Sequence, residues 1–351
     1  MSSPRILFQT HNRRGLGHLM RGVNIATELK ALAPAADILF YSKNPSARRV
    51  CGERFNTFIE TDESGLSHWP ELVASFDPDV IIYDTVLPKA GEAVSVPEQT
   101  RQVYIMRKSK PERHEEIMRH PLIQDVDRII IPHTADEFNY VLPPETGKKA
   151  VLVGPIVRLP GKRIEAALRE KYGIAPSDFL LTSTVGGGGF QAQADHFFQV
   201  VFEIHRQIAT SLAGLRHLVI EGPHYQKTLE ALKGMRIIKA EPEMVSLLAT
   251  SDLVIAEGGY NTVSEIRLVK TPAVFLPSAR NYDDQKERVD VLEAKGLARV
   301  FSKGDPKNIA EQVKKIVTDK NALQTMRENY VRDHMPWGNQ RAAELILAET
   351  V

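Results

Sequence analysis

The chain of 351 residues contains a single cysteine, Cys51. A lone thiol can form neither an intrachain disulfide nor a cysteine-based zinc cluster, and such sparing use of cysteine is typical of a reducing compartment. Long apolar runs are also missing: no window approaches the roughly 18 unbroken apolar residues of a membrane-spanning helix, and residues 1–18 lack the apolar core of a secretory signal. We therefore expect a cytoplasmic protein that does not span a bilayer.

An excess of charge of either sign is absent as well. The 45 Lys and Arg residues are balanced by 44 Asp and Glu, for a formal charge of +1, so no global field attracts nucleic acid or a membrane. Apolar residues make up 42% of the chain and charged residues 25%, which is typical of soluble globular proteins and excludes disorder, collagen or coiled coil as a description of the whole chain. At about 150 residues per core, the length predicts about two domains.

Short runs rich in β-branched residues alternate with helical stretches along the whole chain. This alternation predicts the α/β class, with parallel sheets covered by helices on both faces. Runs without polar alternation, such as VIIY and RIII, indicate strands that are buried on both sides. The predicted strands are Arg5–Thr10, Asp37–Ser42, Val80–Tyr83, Gln102–Met106, Arg128–Ile131, Val151–Val153, Phe179–Thr184, His217–Ile220, Arg236–Lys239, Leu253–Ala256, Ala273–Leu276 and Ala298–Phe301.

The segment Val153–Arg163 interrupts this alternation with two glycines and two prolines, and it is the best candidate for a linker. We therefore predict one domain over residues 1–155 and a second over 156–335. Each half begins with a strand that runs into a glycine-rich turn and then a helix. Such a turn exposes backbone N–H groups at the sheet edge where α/β proteins bind ligands. The predicted architecture is two facing, doubly wound, Rossmann-like domains with a cleft between them.

Four consecutive glycines, Gly186–Gly189, follow the first predicted strand of the second half. They permit positive φ and remove every Cβ from the approach path, so a diphosphate could lie against the main chain of Gly187, Gly188 and Gly189. The alternative is an ordinary turn without a ligand. A dinucleotide fingerprint is excluded, because its third glycine would have to stand where Gln191 does.

A second pair, Gly258-Gly259, leads from a predicted buried strand into a helix that carries Asn261, Thr262 and Glu265. A carboxylate one turn inside that helix can accept hydrogen bonds from the vicinal hydroxyls of a ribose, while the N-terminus of the helix binds a phosphate. The alternative is a capping glutamate that binds no ligand.

The segment Glu241–Ala298 resembles the donor-sugar half of the GT-B glycosyltransferases, specifically the family 28 group that includes peptidoglycan-precursor N-acetylglucosaminyltransferases. The resemblance lies in a G-G-x-x-T-x-x-E turn followed by an Asp-Gln pair. It implies that a nucleoside-diphosphate sugar is the donor substrate. The residues that it assigns to the donor are Met244 at the nucleobase, Gly258, Gly259, Thr262 and Glu265 at the ribose and phosphates, and Asp284 and Gln285 at the sugar hydroxyls.

The amino-terminal turn Gly15-Leu16-Gly17-His18 resembles the glycine loop ending in histidine that the same family sets against the acceptor. The resemblance implies that Gly15 and Gly17 contact the acceptor and that His18 is the general base. The alternative is a histidine that merely caps the first helix. The run GLGHLMRG also resembles nucleotide-sugar hydrolases of sialic-acid-like pathways, whose acceptor is water.

Asp84 ends the predicted strand VIIYD at the edge where ligands gather, so it could orient His18 or contact an acceptor hydroxyl. It could equally cap the loop that follows. Arg107 opens a basic run at the same edge, which could meet an anionic acceptor or phospholipid head groups, or could be a solvated face. The triplet Asp77-Pro78-Asp79 fits the D-x-D pattern of metal-dependent transferases, but its proline is better explained by strand entry.

The family resemblance implies an inverting glycosyltransferase that needs no metal or other cofactor. A final helix over residues 338–349, in a segment 336–351, is expected to cross back to the first domain. The acceptor could be a small molecule or a lipid-linked sugar, and peripheral contact with the inner membrane face stays open. The alternatives are a nucleotide-sugar hydrolase or epimerase of the same fold, and a non-catalytic nucleotide-sugar-binding subunit. The residues favour a uridine or thymidine donor only weakly, and they do not indicate the sugar or the oligomeric state.

Overall fold

A computed structural model describes residues 3–10, 16–61, 68–88, 96–161, 164–280 and 284–350. The chain divides into two compact units. Unit 1 comprises Met1–Val157 with Met335–Val351, and unit 2 comprises Arg158–His334. The predicted boundaries after residues 155 and 335 lie beside these divisions. The assignment of the units as acceptor and donor domains stays a prediction.

Unit 1 contains a parallel sheet of seven strands in the order β3-β2-β1-β4-β5-β6-β7, counted over its described residues. The strands are β1 Arg5–Thr10, β2 Asp37–Ser42, β3 Asn56–Ile59, β4 Val80–Asp84, β5 Arg101–Ile105, β6 Arg128–Ile131 and β7 Ala150–Leu152. The helices are Gly17–Leu32, Ala47–Cys51, Trp69–Phe76, Pro111–Met118, Pro121–Asp125, Pro144–Lys149 and Asn339–Ala348, with a 3₁₀ turn at Gly52–Arg54.

Unit 2 contains a parallel sheet of six strands in the order β10-β9-β8-β11-β12-β13, again among the described residues. The strands are β8 Phe179–Thr184, β9 Leu215–Ile220, β10 Met235–Ile238, β11 Leu253–Ala256, β12 Ala273–Phe275 and β13 Ala298–Val300. The helices are Ile164–Tyr172, Gln191–Ala209, Met244–Thr250, Tyr260–Val269, Gln285–Ala294, Pro306–Thr318 and Lys320–Arg332.

Both faces of each sheet are buried, as the continuous apolar runs predict. In β1, Ile6 and Phe8 pack into one apolar cluster while Leu7 between them packs into another. In β8, Leu181 and Leu180 divide between two clusters in the same way. The prediction of two parallel-sheet α/β halves is therefore confirmed.

Among the described strands, β3 is one that the sequence did not predict. Each of the twelve predicted strands overlaps an observed one, with ends that differ by at most two residues. Asn56–Ile59 lies at the edge of its sheet, and none of its side chains is fully buried. A short edge strand therefore lacks the apolar run that identifies a central strand.

The order of each sheet reverses between two neighbouring strands, β1 and β4 in unit 1, and β8 and β11 in unit 2. Successive connections leave such a pair in opposite directions, which opens a crevice at the carboxyl ends of the two strands. In each unit, a ligand-binding site is therefore expected among the residues that follow these strands.

The last helix, Asn339–Ala348, belongs to unit 1, where it packs against the helix Gly17–Leu32. Its buried Ala342, Ala343 and Ile346 share an apolar cluster with the first helix. The Asn339 side chain accepts a hydrogen bond from the Val157 amide at 3.0 Å and donates one to the Val157 carbonyl at 2.6 Å. One buried amide thus joins the two segments of unit 1.

We predict that Asn339→Ala lowers the free energy of unfolding of unit 1 by about 2–4 kcal/mol, because it leaves the amide and carbonyl of Val157 without partners. Both tryptophans of the chain, Trp69 and Trp337, lie in unit 1, so denaturant unfolding followed by tryptophan fluorescence reports on this unit. Gln340→Ala, which removes only an exposed hydrogen bond to Glu344, is the matched control. Equal stability of the two variants would contradict the prediction.

A buried chain of polar groups in unit 2 joins strands β8 and β9 to the helix Gln191–Ala209. The Nε2 of His205 donates to the Lys233 carbonyl, at 3.0 Å, because a carbonyl can only accept. Its Nδ1 must then accept from Nδ1 of His217, at 3.1 Å, and Nε2 of His217 accepts from the Ser183 hydroxyl at 2.7 Å. The two Nδ1 atoms can share a hydrogen bond only while at least one of the imidazoles is neutral.

We predict that unit 2 loses stability in acid because of this pair. Burial lowers the pKa of both rings below the value of about 6.5 of an unfolded chain. The contribution of the two neutral rings to the free energy of unfolding of unit 2 is therefore complete above about pH 6.5. It is lost as the pH falls, by up to about 1.4 kcal/mol per pH unit for each ring. Hydrogen exchange of the helix Gln191–Ala209 measures this loss. His205→Gln/His217→Gln should flatten the profile and the exposed control His334→Gln should not; parallel profiles for all three proteins would refute the explanation.

Candidate functional site

In unit 1, His18 and Asp84 lie together at the carboxyl ends of β1 and β4. The Nδ1 of His18 is 3.1 Å from the backbone oxygen of Asp84 and 3.3 Å from its Oδ1. Both oxygens are acceptors at this position, so we assign the hydrogen to Nδ1, which leaves Nε2 as the atom that can take a proton. The structure thus brings the two predicted catalytic residues together.

Arg21, one turn further along the first helix, pairs with both oxygens of the Asp84 carboxylate. Its Nε donates to Oδ2 at 3.1 Å and its Nη2 to Oδ1 at 2.5 Å. Asp84 is completely buried and Arg21 is 2% exposed. Burial raises the pKa of the Asp84 carboxyl, but Arg21 and then His18 outweigh that effect and hold the pKa well below its usual range. Asp84 is therefore a carboxylate in a neutralised pair, fixed in position beside His18.

Thr85 completes this cluster in a conformation that β-branched residues rarely adopt, with φ of 64°. Its hydroxyl donates to Oδ1 of Asp84 at 2.9 Å and accepts from Nη2 of Arg21 at 3.0 Å. The Tyr104 hydroxyl donates to its carbonyl at 2.9 Å. These contacts hold a strained residue directly after the strand that carries Asp84, and strain of this kind gathers at functional sites.

Two of the three predicted acceptor residues lie in the part of the chain that the structure describes. Gly15 lies outside the described residues. Gly17 begins the helix that carries His18, and Arg107 follows β5, the neighbour of β4, so that it lies at the same edge of the sheet as Asp84. The part that these three residues play toward an acceptor stays a prediction.

In unit 2, two residues of the first glycine turn need glycine for their backbone conformation, and one of them, Gly188, needs it for packing as well. Gly186 and Gly188 have φ of 70° and 69°. A Cβ on Gly188 would lie 2.6 Å from the Glu221 carbonyl oxygen, and a Cβ on Gly222 would lie 2.4 Å from that of Gly186. The turn is therefore pressed against the backbone that follows β9.

The opposite side of the same turn is open. A Cβ on Gly187 would meet only the His224 ring, at 4.0 Å, and one on Gly186 would meet nothing within 4 Å. No described residue accepts a hydrogen bond from the amides of Gly187, Gly188 or Gly189. These amides precede the N-terminus of the helix Gln191–Ala209, so the turn offers the donors that an anion requires.

The second glycine turn packs against Gln285. The amides of Gly258 and Ser278 both donate to Oε1 of Gln285, at 3.2 and 3.1 Å, and a Cβ on Gly258 would lie 2.9 Å from the Cβ of Gln285. Asp284 caps the helix Gln285–Ala294 by accepting from the Glu287 amide at 2.9 Å. Both residues of the predicted Asp-Gln pair thus have structural partners, and their contacts with a sugar stay predictions.

Glu265 lies inside the helix Tyr260–Val269, which Gly259 caps and whose first turn holds half-buried Asn261 and Thr262. Burial raises the pKa of Glu265 to about 7, against a weaker opposing effect of Arg158. No described group hydrogen-bonds to its carboxylate, so it does not make the bond of a capping glutamate. A carboxylate that lacks donors is suited to the hydroxyls of a ribose.

Met244 begins the helix Met244–Thr250, and its side chain packs partly buried between two apolar clusters. Arg158, the first residue of unit 2, donates to Oε1 of Glu243 at 2.9 Å just before that helix. The sequence did not indicate Arg158, because only the fold brings it near both Glu243 and Glu265. The contact of Met244 with a nucleobase stays a prediction.

Glu257 and Arg280 form a further pair that the sequence did not indicate. Nη2 of Arg280 lies 2.6 Å from Oε2 of Glu257, which directly precedes Gly258. Burial raises the pKa of Glu257, although Arg280 opposes it. A cavity of about 220 Å³ lies beside Glu257, and Gln193, His196 and Ser278 are among its lining residues.

Across the described ranges, no three His, Cys, Asp or Glu side chains group closely enough to hold a metal ion. Asp77 and Asp79 of the D-x-D triplet lie before β4, at the opposite edge of the sheet from Asp84. Asp79 accepts from the Arg5 amide at 2.7 Å, and Asp77 lies 3.6 Å from the Arg5 guanidinium. Among the described helices, none has the length and apolar character to cross a membrane.

Comparison with a solved structure concerns the whole fold. The chain superposes on the glycotransferase of kitacinnamycin with a TM-score of 0.66 over 100% of both chains, at 16% identity. The likeness is one of fold, and it confirms the predicted GT-B class.

Comparison with protein sequences identifies the second half. A Methanosarcina mazei protein described as an uncharacterized glycosyltransferase is 24% identical over 273 residues, which cover 71% of this chain and 67% of that protein. The UDP-N-acetylglucosamine–N-acetylmuramyl-(pentapeptide) pyrophosphoryl-undecaprenol N-acetylglucosamine transferase of Caldanaerobacter subterraneus is 27% identical over 196 residues, 52% of this chain and 51% of that protein. Residues 184–341 match the family model of the glycosyltransferase family 28 C-terminal domain. This stretch of the chain is therefore similar to the glycosyltransferase family 28 C-terminal domain, as its G-G-x-x-T-x-x-E turn predicts.

Proposed function

We propose that the protein transfers a sugar from a nucleoside-diphosphate sugar to an acceptor hydroxyl, with inversion at the anomeric carbon and without a metal ion. The observation that carries the proposal is the orientation of His18. Its Nδ1 faces Asp84, so Nε2 is the atom left to remove a proton from an incoming hydroxyl.

In the proposed step, the acceptor hydroxyl gives its proton to Nε2 of His18 as its oxygen forms a bond to the anomeric carbon. The bond from that carbon to the diphosphate oxygen breaks, and the nucleoside diphosphate leaves with the electron pair. A single displacement of this kind inverts the anomeric carbon. Backbone amides after Gly186 and at the start of the helix Tyr260–Val269 stabilise the charge on the leaving group.

The donor is proposed to bind in unit 2. Glu265 accepts from the ribose hydroxyls, Asn261 and Thr262 lie at the helix N-terminus that receives a phosphate, and Met244 contacts the nucleobase. Asp284 and the amide nitrogen of Gln285 are proposed to reach the sugar. Support comes from the glycosyltransferase family 28 match, which spans residues 184–341.

The acceptor is proposed to bind in unit 1, against Gly15, Gly17 and Arg107. The name of the Caldanaerobacter relative specifies a pyrophosphoryl-undecaprenol acceptor, and Arg107 suits an anionic group of that kind. A lipid-linked sugar is therefore the first acceptor to test. Such an acceptor would place the protein in peripheral contact with a membrane surface.

Candidate UDP-, dTDP- and GDP-sugars should give transfer only when the acceptor is present. Free sugar formed without acceptor would favour a hydrolase, interconverted donors an epimerase, and binding without turnover a non-catalytic subunit.

We predict that His18→Ala lowers kcat by about 10²–10⁴-fold, the usual contribution of a general base, while the dissociation constant of the nucleoside diphosphate stays the same. Initial-rate kinetics and calorimetry measure the two quantities. His334→Ala, which removes an exposed histidine, is the control. A kcat for His18→Ala equal to that of the control would remove His18 from the mechanism.

Glu265 should make donor binding depend on pH. Ribose hydroxyls donate to the ionised carboxylate, so binding favours ionisation and releases a proton. Because the pKa of Glu265 in the free protein is about 7, we predict that affinity falls as the pH drops below 7, by up to about tenfold per pH unit. A nucleotide sugar is the suitable probe, since its phosphodiesters do not titrate in this range.

Glu265→Gln should remove this pH dependence and weaken binding at pH 8 by about 1.5–3 kcal/mol, the range for hydrogen bonds to charged groups. Glu203→Gln makes the same change at a glutamate that pairs with Arg206 on its own helix, and it serves as the control. If the pH profiles of the wild type and Glu265→Gln run parallel, the ribose role of Glu265 is wrong.

A further inference from the structure

Arg280 lies between the two glycine turns of unit 2. Its Nη2 donates to Oε2 of Glu257 at 2.6 Å, and Glu257 directly precedes Gly258. Its guanidinium carbon lies 4.0 Å from the centre of the Phe190 ring, and Phe190 directly follows Gly189. One cation therefore contacts the residue that ends the first turn and the residue that precedes the second.

The pair has hydrogen-bonding capacity that no described residue uses. Nη1 of Arg280 and Oε1 of Glu257 are both buried, and neither has a hydrogen-bond partner among the described residues. The side chains are 11% and 5% exposed. A buried donor without a partner is costly, and native structures seldom keep one without a reason. The free donor on Arg280 is the kind of group that an anionic ligand satisfies.

We propose that Arg280 binds the diphosphate of the donor nucleotide through Nη1, and that Glu257 holds the guanidinium in place for it. This rests on the proposed function, because it takes the two glycine turns as the diphosphate site. A guanidinium matches the geometry of phosphate oxygens and keeps its charge at any physiological pH. It adds a full positive charge to backbone amides that supply only partial charges. Arg280 thereby stabilises the leaving group.

Glu257 has the opposite effect on the ligand. Its carboxylate attracts Arg280 and repels a diphosphate bound to the same guanidinium. Substitution of the two partners should therefore change diphosphate affinity in opposite directions. A pair that only supports the fold would not behave in this way, since loss of either partner would then damage the site alike.

The test measures dissociation constants with the full chain by calorimetry. UDP, dTDP and GDP are titrated into the wild type, and the nucleotide that binds is used with its own nucleoside in all variants. Arg280→Ala should weaken nucleoside-diphosphate binding by about 10–100-fold, the effect of one charge-assisted hydrogen bond, and leave nucleoside binding unchanged. Arg280→Lys should recover part of the loss. Glu257→Gln should tighten nucleoside-diphosphate binding several-fold.

Arg280→Ala alone leaves a buried carboxylate without its partner, which could unfold the protein. The double variant Arg280→Ala/Glu257→Gln removes both charges, and we expect it to fold and to keep the weakened diphosphate binding. Arg216→Ala is the matched control, because it removes the same charge from unit 2 at a half-exposed arginine that pairs with Asp178.

The outcomes separate this inference from the proposed function. A wild type that binds none of the three nucleotides refutes the proposed function and this inference together. If the wild type binds but the double variant binds equally well, the inference alone is overturned. Weakening by Glu257→Gln as severe as that by Arg280→Ala would also overturn it, because the pair would then be structural.

Discussion

Parallel pairing of β1 with β4, and of β8 with β11, is the constraint on which the rest of the molecule depends. In each unit, this pair marks the point where the strand order reverses, so the connections on either side leave the carboxyl ends uncovered. His18 follows β1 and Asp84 ends β4. Gly187 follows β8 and Gly258 follows β11. The candidate site residues of both units thus lie at the carboxyl ends of the strands. The continuous apolar strands beneath them provide a rigid support.

At the candidate sites, the charges of Asp84 in unit 1 and Glu257 in unit 2 are balanced by largely buried arginine partners. In unit 1, Arg21 neutralises Asp84, so the carboxylate can stay ionised in a dry position and direct one nitrogen of His18. In unit 2, the Arg280–Glu257 pair leaves one donor and one acceptor unused, and Glu265 has no donor at all among the described residues. The Asp84 carboxylate is thus fully paired without a ligand, whereas the Arg280–Glu257 pair and Glu265 have groups that a nucleotide would complete.

Much of this could be predicted from the sequence, because the relevant signals are local. β-Branched runs gave β1, β6 and β8 at their observed bounds, and a carboxylate at the end of a buried strand indicated Asp84. The i, i+3 spacing of His18 and Arg21 could have indicated a shared helix face. Arg280 offered no such signal, since its partners Glu257 and Phe190 are distant in sequence. The packing reason for Gly188, contact with the backbone after β9, likewise exists only in the folded chain.

The Asn339–Val157 contact has a consequence for how the protein is made. Unit 2 is inserted between two segments of unit 1, and synthesis proceeds from the amino terminus. During synthesis, the apolar face of the first helix, with Leu19 and Val23, therefore stays uncovered by the helix Asn339–Ala348 until the whole inserted unit and then that helix have left the ribosome. A chain truncated within unit 2 would therefore lack the helix Asn339–Ala348, and the apolar face of the first helix that it covers would stay exposed.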